Sequence, residues 1–125
     1  MSRHLSASIL LASSQPERLD EFYRAAFDVE ADENGWFSLG GLGVNIDLRD
    51  DVAERVAEPG RVVLNIDTEH AAEVVARLDD LGVRWLVRLE ERPNGIFSTF
   101  EDPDGNLVQV LQMTQEYRDS RPDPA

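Results

Sequence analysis

Two short apolar runs, Ser8-Ile9-Leu10-Leu11 and Arg61-Val62-Val63-Leu64-Asn65-Ile66, each lead into a stretch of different period. After the first, Leu19, Phe22, Tyr23, Ala26 and Phe27 recur at helical spacing and define one apolar face. After the second, Ala71, Val74, Val75, Leu78 and Leu81 do the same. Each run therefore reads as a strand followed by an amphipathic helix. Ser13 or Ser14 can cap the first helix, with Pro16 near its first position and Glu17 in its first turn. Asp67 or Thr68 can cap the second, and Gly82 can end it in a left-handed conformation past the last turn. Further strands are predicted at about 35–39 and 43–48, joined through Gly40-Gly41, and at about 83–90, 95–101 and 107–112. The last two flank Asp102-Pro103-Asp104-Gly105-Asn106. There Pro103 pre-sets its own φ, the Asp102 carboxylate can accept the amide two residues on, and Gly105 can close the turn at positive φ.

The pattern is one unit written twice within a single α+β domain. The first copy spans about 5–50 and the second about 61–113, with a linker at about 51–60 that ends in Pro59-Gly60. The polar, Pro-containing tail at 114–125 is expected to fray. A chain of 125 residues can bury a core of its own.

Composition narrows the function classes. The 25 acidic residues against 12 basic ones leave a net charge of −13. A field of that sign repels nucleic-acid phosphates and anionic membrane surfaces, so neither is expected as a partner. It favours a cationic ligand, although acids on helix faces and loops also serve solubility. No apolar run approaches the length of a membrane span, and no basic segment followed by an apolar one opens the chain. With no cysteine, disulfides, thiolate nucleophiles and Cys-type zinc sites are excluded. A cytoplasmic location is the resulting expectation.

Phe22-Tyr23 in the first helix, Leu81-Gly82-Val83 after the second and the Asp102–Asn106 turn, set in the doubled unit, resemble the vicinal oxygen chelate superfamily. That superfamily includes glyoxalases, ring-cleaving dioxygenases and bleomycin-resistance proteins. The resemblance implies paired βαβββ modules whose two four-stranded sheets form a cup around the ligand, with helices outside and two chains paired as a homodimer. A ferredoxin-like sandwich is the alternative architecture. One departure is Asp28, at the end of the first helix, where the family usually has Gly.

By the same resemblance, a divalent ion would sit at the bottom of the cup on three or four His, Glu or Gln side chains. The matching positions here are Ser8, Arg61 and Gln109, with Asp47 the nearest candidate on the strand at 43–48. A neutral hydroxyl is a poor ligand and a guanidinium is a fixed cation. One carboxylate with one amide holds a divalent ion weakly. His4 lies near the N-terminus and His70 in the first turn of the second helix, outside the cup. Neither a metal nor another cofactor is therefore expected.

Strand alternation points Ser8, Leu10, Asn45, Asp47, Arg61, Val63, Asn65, Leu107, Gln109 and Leu111 inward. Ile9, Leu11, Val44, Ile46, Leu48, Val62, Leu64 and Ile66 then meet the helices. The ligand-binding candidates are Ser8, Asn45, Asp47, Arg61, Asn65 and Gln109, with Trp36 and Phe97, and also Phe37 and Trp85, as surfaces on which a planar ligand could stack. Arg61 either anchors a carboxylate, phosphate or enolate, or forms an ion pair with Asp47. Tyr23 is expected to pack, with its hydroxyl reaching the edge. The expected function is metal-independent binding of a small molecule, cationic or aromatic, as in the bleomycin-resistance branch. The alternative is a lyase, isomerase or dioxygenase that uses a divalent metal, or Asp47 as general base with Arg61 stabilising an enolate. An interaction module that has kept the cup and lost its chemistry is a further possibility.

Overall fold

Ten elements follow one another in the computed structural model, which describes residues 5–121. They are β1 (Ser8–Ser13), α1 (Pro16–Phe27), β2 (Phe37–Leu39), β3 (Leu42–Leu48), β4 (Val63–Asp67), α2 (Ala71–Asp80), β5 (Arg84–Arg92), β6 (Gly95–Glu101), β7 (Leu107–Met113) and α3 (Gln115–Ser120). His4 lies outside the described residues. The strands make two sheets, one ordered β1-β3-β2 and the other β4-β7-β6-β5. In each, the opening strand runs parallel to the closing one: Leu10 pairs with Asn45, and Asn65 with Gln109. The second half is thus a full βαβββ module.

The first half is one strand short of the expected four. Between α1 and β2 the chain turns instead of extending. The Asp32 carboxylate accepts the amides of Asn34 at 2.8 Å and Trp36 at 3.0 Å, and Gly35 takes φ 86°. The polar run Asp32-Glu33-Asn34-Gly35 has the residues of an Asx turn and no apolar alternation to pair as a strand.

One core joins both sheets. Leu19, Phe22, Tyr23 and Ala26 of α1 and Ala71, Val74 and Leu78 of α2 pack with Val44, Phe100, Val108 and Val110. Ile9, Leu11, Ile46, Leu64 and Ile66 close around them, the side that alternation predicts for these five. Leu48, at a strand end, is 67% exposed, and Val62, which precedes β4, is 66% exposed, so neither meets the helices as expected.

The helix ends differ in detail from the sequence reading. Gln15 and His70 are the N-cap residues, and neither makes a side-chain cap. Ser13 Oγ accepts the Gln15 amide and Thr68 Oγ1 the His70 amide, each from two residues before the N-cap, too early to cap. The Gln112 side chain, brought over by β7, accepts the Ala71 amide at 3.1 Å. Gly82 does take a positive φ, 72°, and Asp28 does the same after α1 at 52°. Part of the tail is helical: the Thr114 hydroxyl caps α3, and Arg118 ties it back to Asp67 at 2.8 Å and to Glu69 at 3.1 Å. No helix among the described residues is long and apolar enough to cross a membrane.

Candidate functional site

Because α1 and α2 cover one face of each sheet, alternation leaves the opposite face free of helix. On the first sheet that face carries Ser8, Leu10, Gly43, Asn45 and Asp47, with Leu10 61% exposed. The Trp36 ring lies against it. A Cβ at Gly43 would stand 3.6 Å from both the Trp36 ring and the Ser8 Cβ, an ordinary contact distance, which places the indole over this part of the sheet. Asn45 Nδ2 donates to the Asn34 carbonyl at 3.4 Å. On the second sheet, register sets Val63, Asn65, Phe97, Thr99, Leu107, Gln109 and Leu111 on one face. There Gln109 Nε2 reaches Thr99 Oγ1 at 3.4 Å.

The candidates therefore fall into two groups, one on each sheet: Ser8, Trp36, Asn45 and Asp47, then Asn65, Phe97 and Gln109. Arg61 joins neither. It precedes β4, is exposed, and pairs with Glu58 at 3.3 Å, so the alternative of an Arg61–Asp47 ion pair does not describe this structure. The physical reason is proximity along the chain: an acid three residues upstream meets the arginine without any folding. Of the aromatics, Phe37 is buried in the core beside Tyr23. Trp85 packs edge-on against Phe100 and donates to Asp79, which places it on the helix side. Phe97 is half-buried, and the Arg92 guanidinium lies 4.9 Å from its ring centroid, a contact the sequence reading missed.

This donor set does not fit a divalent ion. Ser8 is an exposed hydroxyl, Gln109 is a neutral amide directed at Thr99, and Arg61 is turned to Glu58. Among the described residues, no three His, Asp or Glu side chains converge as ligands. Zinc and its relatives need several anionic or imidazole donors around one point.

The last hairpin turn, in contrast, is held from several sides. Asp102, 3% exposed, accepts the amides of Asp104 and Asn106 on Oδ1, each at 2.9 Å. Its Oδ2 accepts Asn106 Nδ2 at 2.9 Å and the Tyr23 hydroxyl at 2.7 Å. Tyr23 is fully buried, so its hydroxyl does not reach an edge but ties module one to module two. Burial, and then the Asp102 charge, pushes the Tyr23 phenol well above its ordinary pKa; burial also raises Asp102, against the hydrogen bonds from Tyr23 and Asn106. Arg18 adds a contact to Asp104 at 2.9 Å, and the linker docks through the Val56 amide on the Asp104 carbonyl, also at 2.9 Å. The motif that carried the resemblance is thus a structural joint between the two halves.

Solved structures of the same shape agree with this topology. Fosfomycin resistance protein FosX from Listeria monocytogenes superposes with a TM-score of 0.69 at 25% identity, covering 94% of this chain and 99% of its own. FosX from Mesorhizobium loti gives 0.70 at 20% identity, covering 96% and 100%. A glyoxalase/bleomycin resistance protein/dioxygenase family enzyme from Burkholderia phytofirmans gives 0.71 at 11% identity, covering 86% and 98%. No curated protein matches the sequence significantly. The glyoxalase-like domain family matches residues 8–111, nearly the whole folded part, and the chain belongs to that family, within the vicinal oxygen chelate superfamily.

Proposed function

We propose that the protein binds a small organic molecule on the helix-free faces of its two sheets, without a metal, as a homodimer. One observation carries this reading: the positions that match the family's ion ligands hold a hydroxyl, an engaged amide and an arginine paired elsewhere. What remains on these faces is a mixture of Ser8, Asn45, Asp47, Asn65 and Gln109 with apolar Leu10, Val63 and Leu107, the mixture that orients an organic ligand by a few polar contacts. Superfamily members bind small molecules and commonly pair. A second copy laid over the first sheet would cover Leu10, which is 61% exposed.

Metal analysis of untagged protein, with thermal melts in Ni²⁺, Zn²⁺, Fe²⁺ and Mn²⁺, tests the metal-free part. The expected result is substoichiometric metal and no shift; a bound equivalent, or a rise of several degrees, would overturn it. Melts with bleomycin and with fosfomycin then compare a cationic probe with an anionic one. The net charge of −13 favours the cationic probe. Sedimentation equilibrium tests the pairing, and a monomer at tens of micromolar would refute it.

A further inference from the structure

A cleft of ≈ 300 Å³ that the candidates above do not line lies at the turn end of the second sheet, between Phe22, Arg55, Leu81, Val83, Arg84 and Glu101 among others. Glu101 is its central group. Its side chain is 11% exposed, and Oε1 accepts from Arg55 Nη2 at 2.9 Å. Oε2 is buried without a hydrogen bond; Arg84 Nη1 stands 3.3 Å away but is not aligned to donate. A buried carboxylate oxygen left so is costly, and a ligand donor would relieve it. The two guanidiniums are 61% and 78% exposed, and each keeps N–H groups free for an anion. Asp102 lines the cleft as well, so its two guanidiniums stand against two carboxyl groups, a balanced lining that suits a ligand bearing both charges.

We propose that this cleft binds a small zwitterion of the α-amino acid type with an apolar side chain. The ammonium would donate to Glu101 Oε2, the carboxylate would meet Arg84 and Arg55, and the side chain would lie along Phe22, Leu81 and Val83. An α-amino acid offers a donor and an acceptor on adjacent carbons, which suits a buried acceptor with a guanidinium 3.3 Å beside it. A zwitterion also adds no net charge to a protein of −13, which would oppose a simple carboxylate. Glu101 pairs with Leu107 at the edge of the second sheet's helix-free face, but the residues that would hold the zwitterion are not among those proposed to bind there.

Proton–nitrogen NMR titrations with L-leucine, isocaproate (no ammonium) and isoamylamine (no carboxylate) test it. Leucine is expected to move the amides of Gly82, Val83, Arg84 and Glu101 saturably, with each truncated probe at least about tenfold weaker. Glu101→Gln and Arg84→Ala should each weaken leucine by about tenfold. Arg84 is exposed, so R84A keeps the test decisive even if E101Q fails to fold. Unmoved amides, equal binding of a truncated probe, or unchanged leucine affinity in R84A would overturn the proposal.

Discussion

Replacing Tyr23 by phenylalanine removes one oxygen from the joint between the modules and nothing else. The ring keeps its edge contact with Phe22 at 5.4 Å and its stacking with Phe27 and Phe37 at 6.2 and 6.3 Å. What is lost is a 2.7 Å hydrogen bond to the buried Asp102 carboxylate. Such a bond to a charged acceptor contributes about 1.5–3 kcal/mol. Asn106 Nδ2 still serves the same oxygen at 2.9 Å, so a loss near the middle, about 2 kcal/mol, is expected. That corresponds to a melting temperature lower by roughly 5–10 °C for a domain of this size. The pH dependence is a second signature. Burial holds the Asp102 carboxyl above the usual aspartate range, so its ionised form costs stability above the folded pKa. That cost fades as pH falls from the folded pKa to the ordinary aspartate value. The Tyr23 hydroxyl favours the ionised form, and its removal raises Asp102 further. The deficit of Tyr23→Phe is therefore largest at neutral pH and shrinks on acidification between the variant's higher folded Asp102 pKa and that of the wild type, being constant below both. Urea denaturation of both proteins over a pH series measures it. A neutral-pH difference below about 0.5 kcal/mol, or a deficit that grows as pH falls, would refute the reasoning.

Asp28 sits at φ 52°, where a side chain is strained, so Asp28→Gly is expected to stabilise by about 0.5–1 kcal/mol, read as a higher urea midpoint at unchanged slope. Gly95 needs its missing side chain for a different reason: a Cβ would collide with the Gln112 carbonyl and stand 2.9 Å from Met113 Cα on the partner strand. Gly95→Ala should cost more than about 2 kcal/mol in the same assay. Arg118→Ala should change global stability by less than about 1 kcal/mol, because its acidic partners are partly exposed. Hydrogen exchange should nevertheless show α3 losing protection while β7 keeps it, and unchanged α3 protection would argue against the Arg118 tether.

Elements built by local pattern were legible in the sequence. Of the two predicted stripes, Leu19, Phe22, Tyr23, Ala26 and Ala71, Val74, Val75, Leu78 are the buried residues of α1 and α2, while Phe27 is half-buried and Leu81, past the end of α2, is exposed; the last turn has the Asp102 and Gly105 roles its residues imply. The missing strand of the first half was half visible, since only two strands could be read after the first helix there. The resemblance supplied four, and the Asp32 turn decides for three. The partners of long side chains were harder to read. Arg61 to Glu58 is a local pair that spacing alone allows. Arg55 to Glu101, Arg118 to Asp67 and Gln112 to Ala71 cross between distant segments and follow only from the sheet order. The same limit hid the Glu101 cleft, which no run of sequence contains.

Each module begins with a strand whose only neighbour among the described residues is the strand that ends it, β1 with β3 and β4 with β7. In kinetic terms the first segment made is the last to be ordered. β5, β6 and β7 can zip by successive hairpins, whereas β1 and β4 wait until the closing strand of their own module is in place. During synthesis this leaves Ile9 and Leu11, and later Leu64 and Ile66, without cover for the time taken to complete a module. Those two intervals are when the nascent chain is most open to mispairing and aggregation.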